Sequence, residues 1–164
     1  MLAALPPFTL FHVLISLLGI LSGLVVLFGL LTAKRLDGWN SLFVITTVLT
    51  SVTGFFLPAH HLMPSHILGI ISLVLLAIAI YGRYGRRLVG VWSRVYAATA
   101  VLALYLNVFV LIAQLFQKVP SLKALAPTQT EQPFKLTQLV FLILFLIFTA
   151  AAAKRFRYDQ LRTT

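Results

Sequence analysis

The chain contains no cysteine and only three acidic residues in 164 positions. Without cysteine it cannot form disulfides, cysteine-ligated iron–sulfur centres, covalently attached c-type haem or a thiolate nucleophile. Charged residues make up 10% of the chain, whereas a soluble domain carries roughly 25%. Hydrophobic residues make up 60%, and the mean hydropathy is +1.02. These values exclude a soluble domain and indicate an integral membrane protein.

The N-terminal segment lacks the positive start of a secretory signal. No basic residue precedes Lys34. The first apolar run, 8–33, is also far longer than the apolar core of a signal, which has about 7–15 residues. We therefore expect the first helix to stay in the membrane.

Apolar runs of about 20 residues recur along the rest of the chain. They predict a single all-α transmembrane domain, 1–164, with five transmembrane helices in one bundle at about 8–33, 39–57, 65–82, 88–117 and 134–153. A helix rises about 1.5 Å per residue, so each can cross a hydrocarbon core of about 30 Å, the third only barely. The outer connection 118–133 is the longest, and 119–125 could form a short interfacial helix.

Lysine and arginine are divided unevenly between alternate connections. Ten lie after the first and third predicted helices or in the C-terminal tail, and three lie around the connection before the fifth. Because cytoplasmic segments carry the excess of basic residues, this predicts an outside N-terminus and a cytoplasmic C-terminus. Trp39 and Trp92 fall on the predicted cytoplasmic boundary, where aromatic anchors are expected. The expected location is a bacterial inner membrane.

The net charge of +10 also raises nucleic-acid binding as a function. The basic residues of a nucleic-acid-binding domain form a patch or stripe. Here they lie at the ends of apolar runs instead, so we expect no nucleic-acid partner.

Three of the four histidines, His60, His61 and His66, lie in or beside the connection between the second and third predicted helices. His12 lies about one turn inside the first helix on the same, outer side. Amides near the outer ends of helices complete a candidate polar pocket: Asn107, Gln114 and Gln138. The polarity of the bundle is therefore predicted to be one-sided, with little polar character in its cytoplasmic half.

Histidines without cysteine permit three kinds of ligand site. His12 and His66 could hold haem b between them, and all four histidines, with Glu131, could bind copper or zinc. A quinone or lipid head group could bind between His12, Asn107 and Gln114. The spacing HHxxxxH matches no strong zinc motif. The simpler interpretation, which we favour, makes each histidine an interfacial residue or a neutral one hydrogen-bonded in the bundle.

Small and hydroxyl-bearing residues mark the faces on which helices are expected to pack. Gly19 and Gly23 form a GxxxG motif, which predicts a partner helix from the same bundle or from another protein. On the second helix, a polar face is predicted to turn inward and an apolar face, which includes Val44, to turn to lipid. The polar face contains Thr46, Thr47, Thr50, Ser51 and Thr53.

The groups needed for catalysis or coupled transport are missing from the predicted spans. There is no carboxylate pair, no nucleophile elbow and no acid in mid-membrane. We therefore expect a non-catalytic accessory, assembly or interaction subunit, whose partners are the lipid bilayer and another membrane protein or a second copy. The alternatives are a redox or ligand-binding protein with a histidine site at its outer face, and a small-solute channel.

Overall fold

The structure is a computed structural model that describes residues 6–57 and 64–156. Within these ranges the chain forms α-helices and no strand. A π-helical turn, Tyr81–Gly85, continues the third helix. The helices are α1 (Pro7–Leu31), α2 (Asp37–Gly54), α3 (Pro64–Ile80), α4 (Val91–Lys118), α5 (Pro120–Leu125) and α6 (Gln132–Arg155).

The five long helices begin and end within three residues of the predicted positions. Proline lies in the first turn of α1, α5 and α6 and favours a helix start there. The backbone N–H of a residue in this position has no partner within the helix, so proline loses no hydrogen bond, and its fixed φ is already helical. The short helix α5 falls within the segment predicted to contain one, and none of its residues is buried. Local sequence signals therefore account for most helix ends.

Four segments are long and apolar enough to cross a membrane, which indicates a membrane protein. They are Pro7–Leu31, His66–Gly85, Val91–Lys118 and Gln132–Arg155. The helix α2 is not among them. It has 18 residues, and these include Asp37, Asn40 and six serines and threonines.

The helix α4 is the centre of the bundle. It packs against α1, α3 and α6, and the short helix α5 folds back onto it. Its buried face is rich in small side chains, which permit close approach of helices in lipid. The most deeply buried residues of this face are Tyr96, Ala97, Val101, Ala103 and Leu104.

The helices α1 and α2 pack as an antiparallel pair over most of their length. Positions further along α1 lie against positions earlier in α2: His12 against Gly54, Gly19 against Thr46, and Gly23 against Phe43. A Cβ atom added at Gly23 would lie 2.6 Å from Leu104 Cδ1 and 2.8 Å from the Phe43 ring. The GxxxG face of α1 is thus occupied inside the bundle, by α2 and α4.

The inward face predicted for α2 is confirmed at Thr46, Thr47 and Ser51, which are buried. The prediction that Val44 faces lipid is wrong, because only 8% of this residue is exposed. Neighbouring helices cover more of α2 than its threonine stripe, since α1 packs on one side and α3 on another. Even so, Leu49 and Val52 are exposed, as a lipid-facing side requires.

Candidate functional site

The bundle has two ends with different chemistry. The histidine end contains the start of α1, the end of α2 and the start of α3. The basic end contains the α1–α2 connection, the π-helical turn and the end of α6. Its basic residues within the described ranges are Lys34, Arg35, Arg83, Arg86, Arg87, Arg94, Lys154 and Arg155.

At the histidine end, His12 bonds to the last turn of α2. Its Nδ1 lies 2.8 Å from the Thr53 Oγ1, and the Thr53 hydroxyl donates its own proton to the Leu49 carbonyl at 2.7 Å. A hydroxyl has one proton to donate, so Thr53 accepts the bond from His12 and the imidazole proton is assigned to Nδ1. In the neutral ring, Nε2 then keeps its lone pair for another partner.

His66 contacts the same end of α2 through an aromatic stack. Its ring lies 5.6 Å from that of Phe55, centroid to centroid, with 16° between the planes. Thr53 and Phe55 are two positions apart and so project about 200° apart on helical backbone. His12 and His66 therefore contact opposite sides of the end of α2, which does not provide the facing imidazoles that a haem between them needs.

His60 and His61 lie outside the described residues. Within the ranges that are described, no group of three or more histidines and acids is placed to hold a metal ion. A copper or zinc site that uses all four histidines stays a prediction. The carboxylate of Glu131, considered as an extra ligand, instead accepts bonds from the backbone N–H and the hydroxyl of Thr128, at 3.1 and 2.9 Å.

These bonds also set the acidity of Glu131. Desolvation raises the pKa of its carboxyl, but the hydrogen bonds, among them those from Thr128 and from the backbone of Thr130, together lower it by more. The pKa of Glu131 therefore lies below its usual value, and the carboxylate helps to hold the connection before α6. The side chain makes no capping hydrogen bond to α6 itself.

Two of the three candidate amides bond between helices. Asn107 donates from Nδ2 to Thr47 Oγ1 at 3.3 Å, which joins α4 to α2. Gln138 donates from Nε2 to the Phe109 carbonyl at 3.1 Å, which joins α6 to α4, and its Oε1 is buried without a partner. Gln114 is exposed. Two of these amides thus take part in helix packing, and a quinone or lipid pocket that uses them stays a prediction.

The basic end holds a polar network that sequence reasoning missed. The Arg83 guanidinium forms an ion pair with Asp37 and lies over the Tyr96 ring, 5.1 Å from its centroid. The Tyr96 hydroxyl donates to Asn40 Oδ1, and Asn40 Nδ2 lies 3.5 Å from the Tyr84 hydroxyl. Only 3% of the Arg83 side chain is exposed, and Asn40 and Tyr96 are also buried. The prediction of one-sided polarity is therefore wrong.

The π-helical turn places Arg83 in this network. The backbone N–H of Arg86 bonds to the Tyr81 carbonyl at 2.9 Å, the wider spacing of a π-helix. From sequence, Arg83 counted only as a charge at the end of the third helix. The available signal was on α2, where Asp37 and Asn40 are three positions apart and so share a helix face.

A small crevice opens beside this network, with room for about one water molecule. Its polar wall contains Lys34, Arg35 and Arg83, with Asn40 and Tyr96. Its apolar wall comes from α1 and from Phe156, which follows α6.

Comparison with protein families, curated proteins and solved structures found no match to this chain.

Proposed function

We propose that the chain is a five-helix, multi-pass protein of a bacterial inner membrane that acts as a non-catalytic accessory, assembly or interaction subunit. The observation that carries this proposal is the closed interior of the bundle. The crevice at the basic end has room for about one water molecule. At the centre, Ala97, Ala103 and Leu104 are almost completely buried. Close packing of the described helices favours a role for the outer surface of the bundle.

The antiparallel packing of α1 and α2 supports five crossings. Because α1 is long and apolar enough to span a membrane, a helix packed against it from His12 to Gly23 passes through the same depth. The polar residues that lower the hydropathy of α2 are in part buried against α1 and α4, as at Thr47 and Asn40. Lipid therefore meets only part of α2.

The basic end supports a cytoplasmic location for the C-terminus. Eight basic residues of the described ranges lie there, and cytoplasmic ends carry such an excess. Trp39 is exposed at the start of α2, and Trp92 lies at the start of α4, at the same end. Aromatic residues at this level suit a membrane–water interface.

The partner we propose is a helix of another membrane protein, bound on the outer face of α6. Only 17% of the apolar window of α6 is buried in the bundle, against 56% for α4. The remaining face presents branched aliphatic side chains, among them Val140, Ile143 and Ile147. The GxxxG face of α1 is used internally, and the apolar window of α6 is the least buried of the four candidate spans.

A photo-crosslinking amino acid at Ile143, in native membranes at native expression, tests this proposal. We expect one discrete protein adduct from Ile143 and none from Val101, a matched apolar site that is buried on α4. Adducts with lipid alone at Ile143 and at the exposed Leu21 would contradict the proposal. An adduct with a second copy of the chain would overturn the proposed partner and show that this face mediates self-association.

The second candidate is a ligand site at the histidine end, favoured by one observation. The Thr53 bond orients His12 and leaves Nε2 as an acceptor or metal ligand. The test is the visible spectrum and the metal content of purified protein, together with analysis of retained quinone and lipid. A Soret band, bound copper or zinc, or retained quinone that disappears in His12→Ala supports it. Colourless, metal-free and quinone-free protein, after supplementation with haem, contradicts it.

A further inference from the structure

The crevice at the basic end combines a concentration of positive charge with limited access. Lys34 and Arg35 are exposed at its rim, and Arg83 lies buried in its wall. Asp37 is the acid of the described ranges at this end, and its carboxylate already pairs with both Arg35 and Arg83. Among the described residues at the crevice, three cations therefore face one carboxylate, which leaves a net positive charge beside the opening.

The helix ends at the crevice do not add to this positive charge. The carbonyl groups at the end of α1 are already bonded, among them that of Leu31 by Arg155 Nη1. The first turn of α2 contains the Asp37 carboxylate, which interacts favourably with the positive end of the helix dipole. The field beside the opening therefore comes from the basic side chains.

The surroundings place the crevice at head-group depth. Exposed aromatic residues lie at the same end, namely Trp39, Tyr81 and Tyr84, as expected where a helix bundle leaves the hydrocarbon region. The apolar wall, from Leu30 to Phe156, faces the polar one. A group that is anionic at its head and apolar behind it matches both walls.

We propose that this crevice binds a phosphate group, supplied by the head group of an anionic phospholipid or by free phosphate. Basic pockets between transmembrane helices on the cytoplasmic side bind such head groups. The crevice admits one oxygen of the phosphate beside Arg83, while Lys34, which is exposed at the rim, contacts the group from outside. This site is independent of the accessory function proposed above.

The experiment measures retention of phosphatidylglycerol and phosphatidylcholine by the purified full chain, using native mass spectrometry. Lys34→Gln should reduce phosphatidylglycerol retention about fivefold, because it removes a charge that lines the crevice and lies near the head groups. The matched control is Arg94→Gln, which removes an exposed charge at the same end but outside the crevice. If the crevice is the site, Arg94→Gln reduces retention clearly less than Lys34→Gln does. Both residues are exposed, so neither change removes a buried contact.

A second arm distinguishes the two sources of phosphate. Inorganic phosphate is titrated into protein in neutral detergent, and the thermal midpoint is followed for the wild type and for Lys34→Gln. If added phosphate raises the thermal midpoint of the wild type but not that of Lys34→Gln, free phosphate is a ligand. Retention of phosphatidylglycerol without any response to phosphate identifies the lipid. Equal losses in Lys34→Gln and Arg94→Gln, or no preference for either anionic probe, would overturn the proposal.

Discussion

Arg83 is the side chain that organises the basic end. It is buried, and its charge is balanced by Asp37, whose own side chain is 62% exposed. Removing one partner of such a pair leaves the other charge buried without compensation, which costs more than the pair itself contributes. The exposed carboxylate is screened by solvent, so its loss costs less than in a fully buried pair. The network thus makes one surface acid structurally important.

Asp37→Asn should lower the free energy of unfolding by about 1–3 kcal/mol, because Arg83 stays buried and loses its counter-charge. Thermal unfolding in detergent measures the change. Arg94→Gln is the matched control, since it removes an exposed charge at the same end of the bundle. Equal midpoints for the two variants would show that the Arg83 pair does not stabilise the bundle.

Glu131 provides a pH test at the opposite end. Its pKa is lowered in the folded chain, so the stabilisation it gives is present above its unfolded pKa and disappears as the pH falls through its folded pKa. Thr128→Ala removes a donor and should move the pKa of Glu131 upward. NMR titration of the side-chain carboxyl carbon measures both values. A pKa that does not change in Thr128→Ala would contradict this account of the loop.

The α1–α2 pair is the element on which the compactness of the bundle depends. At Gly23 the two helices and α4 approach so closely that a Cβ atom has no room, whereas at Gly19 an added Cβ atom would lie 3.2 Å from Thr46 Oγ1. Close approach of small residues replaces the hydrophobic effect in helix association within lipid. The pair is therefore expected to tolerate change at Gly19 better than at Gly23.

Gly23→Ala should destabilise the bundle by about 1–3 kcal/mol through overpacking against Leu104 and Phe43. Gly38→Ala is the matched control, because an added Cβ there meets nothing within 4 Å. In that exposed helical position alanine should be neutral or stabilising by up to about 1 kcal/mol. The two variants are compared by their midpoints of thermal unfolding. A Gly23→Ala variant as stable as Gly38→Ala would mean that the helices are less closely packed.

Helix positions were predictable because they depend on local signals, whereas the network at the basic end was not. Prolines and apolar runs mark where α1 and α6 begin, so their bounds needed no knowledge of the fold. The burial of Arg83 depends instead on tertiary structure, because α2 must start at the same level of the bundle at which α3 ends. Gln114 was misplaced for a similar reason, since the rotation of α4 within the bundle decides whether an amide is buried or exposed.

At the scale of the whole molecule, residues 6–57 and 64–156 form a helical bundle with a polar network at one end, a histidine end at the other and an apolar exterior. This arrangement leaves function to its surfaces: the outer face of α6, the crevice of the basic end and the His12 imidazole. Two of these interpretations, the crevice and the His12 site, require that α2 crosses the bilayer, because α2 contributes Asn40 to the basic end and Thr53 to the histidine end. The number of crossings is therefore the central claim.

Single-cysteine labelling in intact cells tests that claim directly, because the chain has no cysteine of its own. A membrane-impermeant maleimide is applied to Gly38→Cys, at the start of α2, and to Leu57→Cys, just after its end. Five crossings predict that Leu57→Cys and the loop variant Thr128→Cys react in intact cells, and that Gly38→Cys reacts only after permeabilisation. Reaction of Gly38→Cys and Leu57→Cys from the same side would contradict the account.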